Sequence, residues 1–339
     1  MTQLLSEHTT LRLGGPATAW VRATTEQELV EALSSVGGPV LVLGGGSNVV
    51  VADAGFDGTV VEVATTGVRA DIEDDDPSCG GVMVTVAAGE SWDDLVARAV
   101  EREWVGVEAL AGIPGLVGAT PIQNVGAYGQ DVSQTVAQVR VWDRVLKGVR
   151  TFANADCGFG YRTSRFKADR DRHVVLDVTF QLRQGSLGAP VQYAELARTL
   201  GVELGRRAPL ADVREAVLEL RRSKGMVLDP ADHDTWSVGS FFTNPVVDEA
   251  DLPDGAPAWP QPDGRVKTSA AWLIEQAGFH KGYGAGPVGI SSKHTLALTN
   301  RGGGTTEQLL ALARELRDGV EAAYGIPLVN EPVLVGCEL

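Results

Sequence analysis

Three clusters in this 339-residue chain carry residue types suited to chemistry. The first is EALAGIPGLVGATPIQNVGAYGQ, from Glu108 to Gln130, with five glycines and no charged side chain between Glu108 and Asp131. Glycine and alanine let peptide N–H groups approach a ligand, and successive N–H groups in a turn form an anion-binding nest. Gln123, Asn124 and Tyr128 add amide and phenol partners. A long neutral stretch of small residues inside a globular chain points to function, the alternative being a surface Ω-loop. The second cluster, CGFGYRTSRFK (157–167), sets Tyr161, Arg162, Arg165 and Lys167 around two small hydroxyls. Any one of these arginines reads as a surface cation, but three cations in six residues beside backbone donors point to an anion. The third, VGSFFTNPVV, places Ser240 between Gly239 and two phenylalanines, with Asn244 close behind. It has no GxSxG elbow, so a hydrolase nucleophile is not indicated. The tail VNEPVLVG carries Glu331, which taken alone reads as an exposed, inert carboxylate.

A fourth, weaker signal is the apolar run VLVL ending at Gly44, Gly45, Gly46, Ser47 and Asn48. A buried strand running into glycines can cradle a phosphate, or it can be a plain tight turn. The run lacks GxGxxG, and strand and turn rather than helix follow it, so a Rossmann fingerprint matches poorly.

Alternating helices and strands must position these clusters. Residues 24–36 read as a helix with Thr25 and Glu28 as a capping box, and Ser91 caps a second helix with Leu95, Val96 and Val100 inward. GVMVTVAAG (81–89) alternates like a strand, and 138–144 and HVVLDVTFQL read as strands. Residues 210–224 form an amphipathic helix with Val213, Val217 and Leu220 on one face, ending in Arg221, Arg222 and Lys224, cations suited to a helix C-terminus. Residues 248–265 are rich in Pro, Gly and Asp and read as a surface excursion. A helix over KTSAAWLIEQAGF, a loop into a strand, a long helix opened by Thr305 with Gln308, and a final strand complete the chain.

The totals bound the function. The length suggests two or three domains, and 44% apolar with 22% charged residues is an ordinary globular mixture. A net charge of −15 argues against nucleic acid or an anionic membrane surface as main partner, although a local Arg/Lys cluster can still hold an anion. No apolar run approaches a membrane span, and the N-terminus lacks a secretory pattern. Three scattered cysteines without CxxC, and five scattered histidines without HExxH, predict neither a disulfide framework nor a metal site. The expectation is a cytoplasmic, metal-free α+β protein, with the acidic tract of residues 70–81 as an exposed insertion.

In order along the chain, LVLGGGSNVVV, AGIPGLVGATPIQNVGAYGQ, CGFGYRTSRFK, VGSFFTNPVV, KTSAAWLIEQAGF and VNEPVLVG resemble the motifs of the UDP-N-acetylenolpyruvoylglucosamine reductase (MurB) family, over nearly the whole chain. The resemblance implies an FAD-binding fold of the vanillyl-alcohol oxidase (PCMH) type in two subdomains, 1–70 and 71–222. A substrate-binding α+β domain over 223–326 and a C-terminal strand, 327–339, returning to the FAD-binding part would follow. It implies NADPH-dependent, FAD-mediated reduction of UDP-N-acetylglucosamine enolpyruvate to UDP-N-acetylmuramate, by a monomer without nucleic-acid or membrane partners. Arg162 and Glu331 would stabilise the enolate, and Ser240 would protonate C2. FAD would lie on Gly44, Gly45, Gly46, Ser47 and Asn48, on Pro114, Gly115, Gly118, Ala119, Thr120, Gln123, Asn124, Gly126, Ala127 and Tyr128, and near Arg221. Tyr161, Tyr193, Lys224 and Asn244 would contact substrate, Tyr193 matching the tyrosine that type I members fold over the UDP moiety. The segment RSKGMVLDPADHDTWSVGS is spaced differently from shorter members, and Lys293 and His294 have no assigned counterpart. An alcohol or sugar oxidase of the same fold would share the FAD loops but lack GSFFTNP together with NEP. A non-catalytic flavin or sugar-nucleotide binder would have no use for a proton donor.

Overall fold

The computed structural model describes residues 3–72 and 81–339, so most of the acidic tract of 70–81, with Cys79, lies outside the described residues. The chain forms two compact units, each assembled from separated segments. One comprises Ala19–Gly45 and Gly58–Arg222; the other comprises Met1–Thr18, Gly46–Asp57 and Ser223–Leu339. They are called here the 58–222 unit and the 223–339 unit.

The 58–222 unit is built on a largely antiparallel sheet in which Val136–Asp143 lies between Gly148–Ala153 and His173–Gln184. His173–Gln184 pairs on its other side with Gly81–Ala87, and that strand with Val68–Ile72. Alternation explains the inner face: Val82, Val84 and Val86 are all fully buried, and the residues between them are not. His173–Gln184 is buried on both faces over its first eight residues, as expected of a central strand. The helix Trp92–Glu101 covers this sheet, Trp92 meeting Phe180 with ring centroids 5.9 Å apart. Its buried face is Trp92, Leu95, Val96 and Ala99; Val100, expected inward, is half-buried at the edge of that stripe, one residue from the helix end. A smaller three-stranded sheet, ordered Ala17–Ala23, Phe56–Val63, Val40–Leu43, accompanies the helix Glu26–Ser35. Thr25 caps that helix by accepting from the Glu28 N–H, while the Glu28 carboxylate reaches back to the N–H of Thr24 at 2.8 Å.

In the helix Leu210–Ser223 the buried residues are Leu210, Val213, Ala216, Val217 and Leu218, with Leu220 half-buried. The 223–339 unit packs helices Ala270–Gln276 and Thr306–Tyr324 around one apolar core with Phe241, Phe242, Ile290, Leu298 and Leu316. Thr305 and Gln308 form the full reciprocal capping box expected of them. The excursion 248–265 is exposed as predicted, yet it also holds a short strand, Ala258–Pro260, on the edge of a three-stranded sheet. Pro260 and the absence of a buried face hide that strand from periodicity. The tail strand Val333–Val335 pairs in parallel with Val49–Val51.

Candidate active site

The stretch 108–131 is a sequence of small elements. A tight turn over Val117–Ala119 leads into a short helix, Thr120–Gln123, which ends at Asn124 in a left-handed conformation (φ 45°). A two-stranded hairpin follows, Gly126 facing Asp131 and Ala127 facing Gln130. Its two tip residues, Tyr128 and Gly129, have φ of 50° and 87°. Positive φ at both positions is the signature of a type I′ turn, whose twist suits a tight hairpin. Asn124 is nearly fully buried and ties this stretch to the second cluster: its amide donates to the Gly160 carbonyl (2.9 Å) and its carbonyl accepts from the Ser133 N–H (3.2 Å).

In the second cluster Gly160 and Thr163 exchange two backbone hydrogen bonds, so Tyr161 and Arg162 form the tip of a tight turn. Arg162 has φ 51°, and its guanidinium donates to the carbonyls of Gly126 (2.6 Å) and Asn124 (3.3 Å). Its charge is therefore held against the hairpin of the first cluster, with the Tyr161 ring 5.5 Å away. The other two cations of the cluster have structural partners. Lys167 donates to the Arg162 carbonyl (2.9 Å), and Arg165 stacks over Phe152. Tyr193 stands exposed at the start of the helix Ala194–Leu200 and meets the Tyr128 ring edge-on at 5.6 Å. Burial raises the Tyr128 phenol to about 12, so it is protonated at neutral pH. Arg221, in the last turn of Leu210–Ser223, is lowered to about 10 by burial against the pull of Tyr128 and Asp93, and stays cationic at neutral pH.

Ser240 and Glu331 belong to the 223–339 unit. Gly239 precedes Ser240 with φ 76°, and Phe241 and Phe242 beyond it are core anchors. The segment runs between two extended neighbours. On one side Phe241 donates its N–H to the Leu296 carbonyl (2.7 Å), and Ser240 bridges to Ala297. On the other side the Phe241 carbonyl accepts from the Glu331 N–H (2.8 Å), and Phe242 bridges to Asn330. A hydroxyl and a carboxylate separated by 91 positions in the chain (331 less 240) thus stand on hydrogen-bonded neighbouring segments. Asn244 accepts from the Ala270 N–H (3.0 Å) and so helps to cap Ala270–Gln276, while Lys224 lies half-buried just past the helix Leu210–Ser223.

An FAD binding domain family matches residues 17–147, and the C-terminal domain of UDP-N-acetylenolpyruvoylglucosamine reductase matches residues 229–335. Reductases of that name from Cutibacterium acnes and Thermobifida fusca are each 58% identical to this chain over 99% of it, covering 90% and 97% of their own lengths. The crystal structure of MurB from Thermus caldophilus superposes with a TM-score of 0.67 at 25% identity, over 99% of this chain and 98% of that one. The chain belongs to the UDP-N-acetylenolpyruvoylglucosamine reductase family.

In this reductase the glycines of the two loops fit an FAD site on a structural ground. A side chain at Gly45 would begin 2.9 Å from the Gly115 Cα, and one at Gly118 would begin 2.5 Å from the Ala88 Cβ. The Gly44–Asn48 loop therefore meets the 114–128 stretch backbone to backbone, with no room for a side chain at the contact, as a site lined by peptide groups requires. Fold class agrees with expectation: helices and strands mix in both units, and an FAD-binding domain is present. Among the described residues, no helix is long and apolar enough to cross a membrane, and no group of three or more His, Cys, Asp or Glu could hold a metal ion.

Two groups of supporting residues escaped sequence reasoning. Glu108, nearly fully buried, accepts from the N–H groups of Gly106 (2.7 Å) and Ala189 (2.6 Å) and from the Gln130 amide (3.0 Å), closing the base of the first cluster. Asp234 and Ser291 form the second group, described below. The buried Glu108 had a signal, a carboxylate at the mouth of an uncharged stretch; the Asp234 pairing joins residues 57 positions apart and had none.

Proposed function

We propose that this chain catalyses NADPH-dependent, FAD-mediated reduction of UDP-N-acetylglucosamine enolpyruvate to UDP-N-acetylmuramate, in the synthesis of peptidoglycan precursors, as a cytoplasmic monomer. Membership of the reductase family over 99% of the chain supports the reaction. The observation that supports the residue assignment is the backbone pairing that puts Ser240 and Glu331 on hydrogen-bonded neighbouring segments, Glu331 bonding to Phe241, the residue after Ser240.

FAD, when bound, would supply to C3 of the enolpyruvyl group a hydride taken from NADPH. Gly44 to Asn48, the 114–128 stretch and Arg221 would hold and orient the cofactor, and Tyr161, Tyr193, Lys224 and Asn244 would bind the sugar nucleotide. We assign FAD binding to 1–222, substrate binding to 223–326 and the return strand to 327–339. As C3 gains hydride, negative charge builds at C2 and the carboxylate. Arg162 stabilises that charge: its guanidinium is held by two carbonyls, so little reorganisation is needed as charge develops. Glu331 supports this step as an acid or through its own partners. Ser240 then delivers its hydroxyl proton to C2, completing addition of two hydrogens across the double bond. A free hydroxyl is a very weak acid, so its neighbours must assist the transfer.

An absorbance spectrum tests the reading. Flavin bands that bleach with NADPH under anaerobic conditions and return on adding UDP-N-acetylglucosamine enolpyruvate are expected. Bleached bands that recover only with oxygen would point to an oxidase instead. For the proton donor, Ser240→Ala should leave flavin reduction by NADPH nearly intact and slow the return of the bands by about 10³-fold or more. Equal loss in both half-reactions would make Ser240 structural.

A further inference from the structure

Asp234 lies six residues before Ser240, inside the segment whose spacing departs from shorter family members. Its carboxylate gathers three donors from a distant part of the same unit. One oxygen accepts from the Ser292 N–H (3.0 Å); the other accepts from the hydroxyls of Ser292 (2.9 Å) and Ser291 (3.1 Å). Ser291 is fully enclosed. Having donated to Asp234, its hydroxyl oxygen accepts from the N–H groups of Lys293 (3.0 Å) and His294 (3.2 Å), so its donor and both lone pairs are used. Those bonds fix an irregular turn, closed by Ser291 N–H to the Ala297 carbonyl (2.8 Å) and Ala297 N–H to the His294 carbonyl (3.1 Å). Asp232 fastens the same turn from the side, through an ion pair with Lys293 at 2.5 Å. The turn ends in Leu296 and Ala297, the two residues that pair with Phe241 and Ser240. One carboxylate, through one buried hydroxyl, therefore reaches the backbone that holds Ser240 in register.

We propose that Asp234 is a positioning residue for the protonation step: through Ser291 it sets the turn 291–297, and with it the placement of Ser240. The proposal rests on the reading of Ser240 as proton donor. A polar network in which every member is satisfied specifies one geometry, and a half-satisfied one does not. Ser240 takes part in the oxidative half-reaction and not in hydride delivery from NADPH to the cofactor, so its displacement bears on the former.

The test uses the holoenzyme. Asp234→Asn keeps the size of the side chain but offers an amide nitrogen where a serine hydroxyl needs an acceptor. Flavin reduction by NADPH should stay within about twofold of the parent, and anaerobic reoxidation by UDP-N-acetylglucosamine enolpyruvate should slow by about 10- to 100-fold, as for a displacement of an ångström or less. Amide hydrogen exchange over 240–242 and 291–297 should rise in the same variant, with or without FAD. Ser291→Ala breaks the link from its other end and carries the test should Asp234→Asn fail to fold. The double variant should be no more than about twofold slower than the slower single one, because both cut one connection. Ser240→Ala runs alongside. If it leaves reoxidation unchanged, the proton-donor reading falls and the positioning role with it. If it slows reoxidation while Asp234→Asn and Ser291→Ala do not, or if those variants depress both half-reactions equally, or if exchange over 240–242 is unmoved, the positioning role alone is overturned.

Discussion

Gly46 and Gly239 share a backbone conformation that disfavours side chains, with φ of 60° and 76°, but their surroundings differ. A Cβ on Gly46 would lie 2.0 Å from the His8 carbonyl oxygen and 2.7 Å from the Thr9 Cα; around Gly239 nothing lies within 4 Å. Gly239→Ala should therefore cost only the left-handed penalty, about 1–2 kcal/mol. Gly46→Ala must also move backbone, and we expect more than about 4 kcal/mol, a loss reserved for severe packing errors. Denaturant unfolding of the two variants measures both, and equal losses would contradict the contrast. The same two positions show why the candidate site was partly legible. Glycine runs and the Gly-Ser-Phe-Phe motif are local, and φ above zero is what glycine is chosen for. The use of Arg165 and Lys167 was not legible: their residue type signalled an anion, whereas packing on Phe152 and a bond to the Arg162 carbonyl occupy them instead.

At the scale of elements, the turn after Val136–Asp143 is organised by a buried carboxylate. Both Asp143 oxygens accept from the Arg172 guanidinium, Oδ1 from Nε (3.1 Å) and Oδ2 from Nη2 (2.9 Å), and Oδ1 accepts further from the N–H groups of Val145 (3.0 Å) and Leu146 (2.9 Å). The Arg172 bonds above all hold its pKa down to about 2, with the two turn N–H groups adding to the effect. Because the folded value lies below the ordinary value of 3.8, the stabilisation is fully present above about pH 4 and is lost as pH falls through about 2. Neighbouring His173 is enclosed by Phe152 and Phe166, and burial lowers its pKa, so protonation below the ordinary histidine range also favours unfolding. Asp143→Asn should thus be less stable than the parent at pH 5, and the gap should shrink below pH 4. Thermal melts across that range check it, and a gap that widens with acid would refute it. Elements with caps and strong periodicity, such as the helix opened by Thr305 and the alternating strand 81–87, were readable from sequence because their signals are local. The edge strand Ala258–Pro260 was not, since three exposed residues have no pattern to show. Neither was the register linking 240–242 to 296–297 and 330–331, which is set by the shared core rather than by either segment.

On the scale of the whole molecule, the 223–339 unit cannot be obtained by cutting the chain at one point. Its strand Val49–Val51 comes from between two segments of the other unit, is fully buried, and pairs with Val333–Val335. Asp53 accepts from the N–H groups of Thr306 (2.8 Å) and Glu307 (3.0 Å), anchoring the start of the long helix, and Thr306 donates its hydroxyl to the Val51 carbonyl (2.6 Å). Asn300 holds the Leu11 and Arg12 carbonyls, and Thr10 donates to the Ser237 carbonyl at 2.6 Å. Six such bonds at about 1 kcal/mol each, before counting the apolar area of Leu11, Leu13 and Val50, rival the 5–15 kcal/mol that holds an ordinary domain together. A fragment of residues 223–339 should therefore show no cooperative thermal transition alone, although it contains most of the unit's core. Adding the fragment 1–222, which brings Leu11, Val50 and Asp53, should restore one. If 223–339 unfolds cooperatively alone, the contributed segments are decoration on a self-sufficient fold. If the mixture also fails while the intact chain refolds, the continuity of the chain at 222–223 supplies what the contacts cannot. The expected result places the stability of the segment carrying Ser240 and Glu331 in residues from both ends of the sequence.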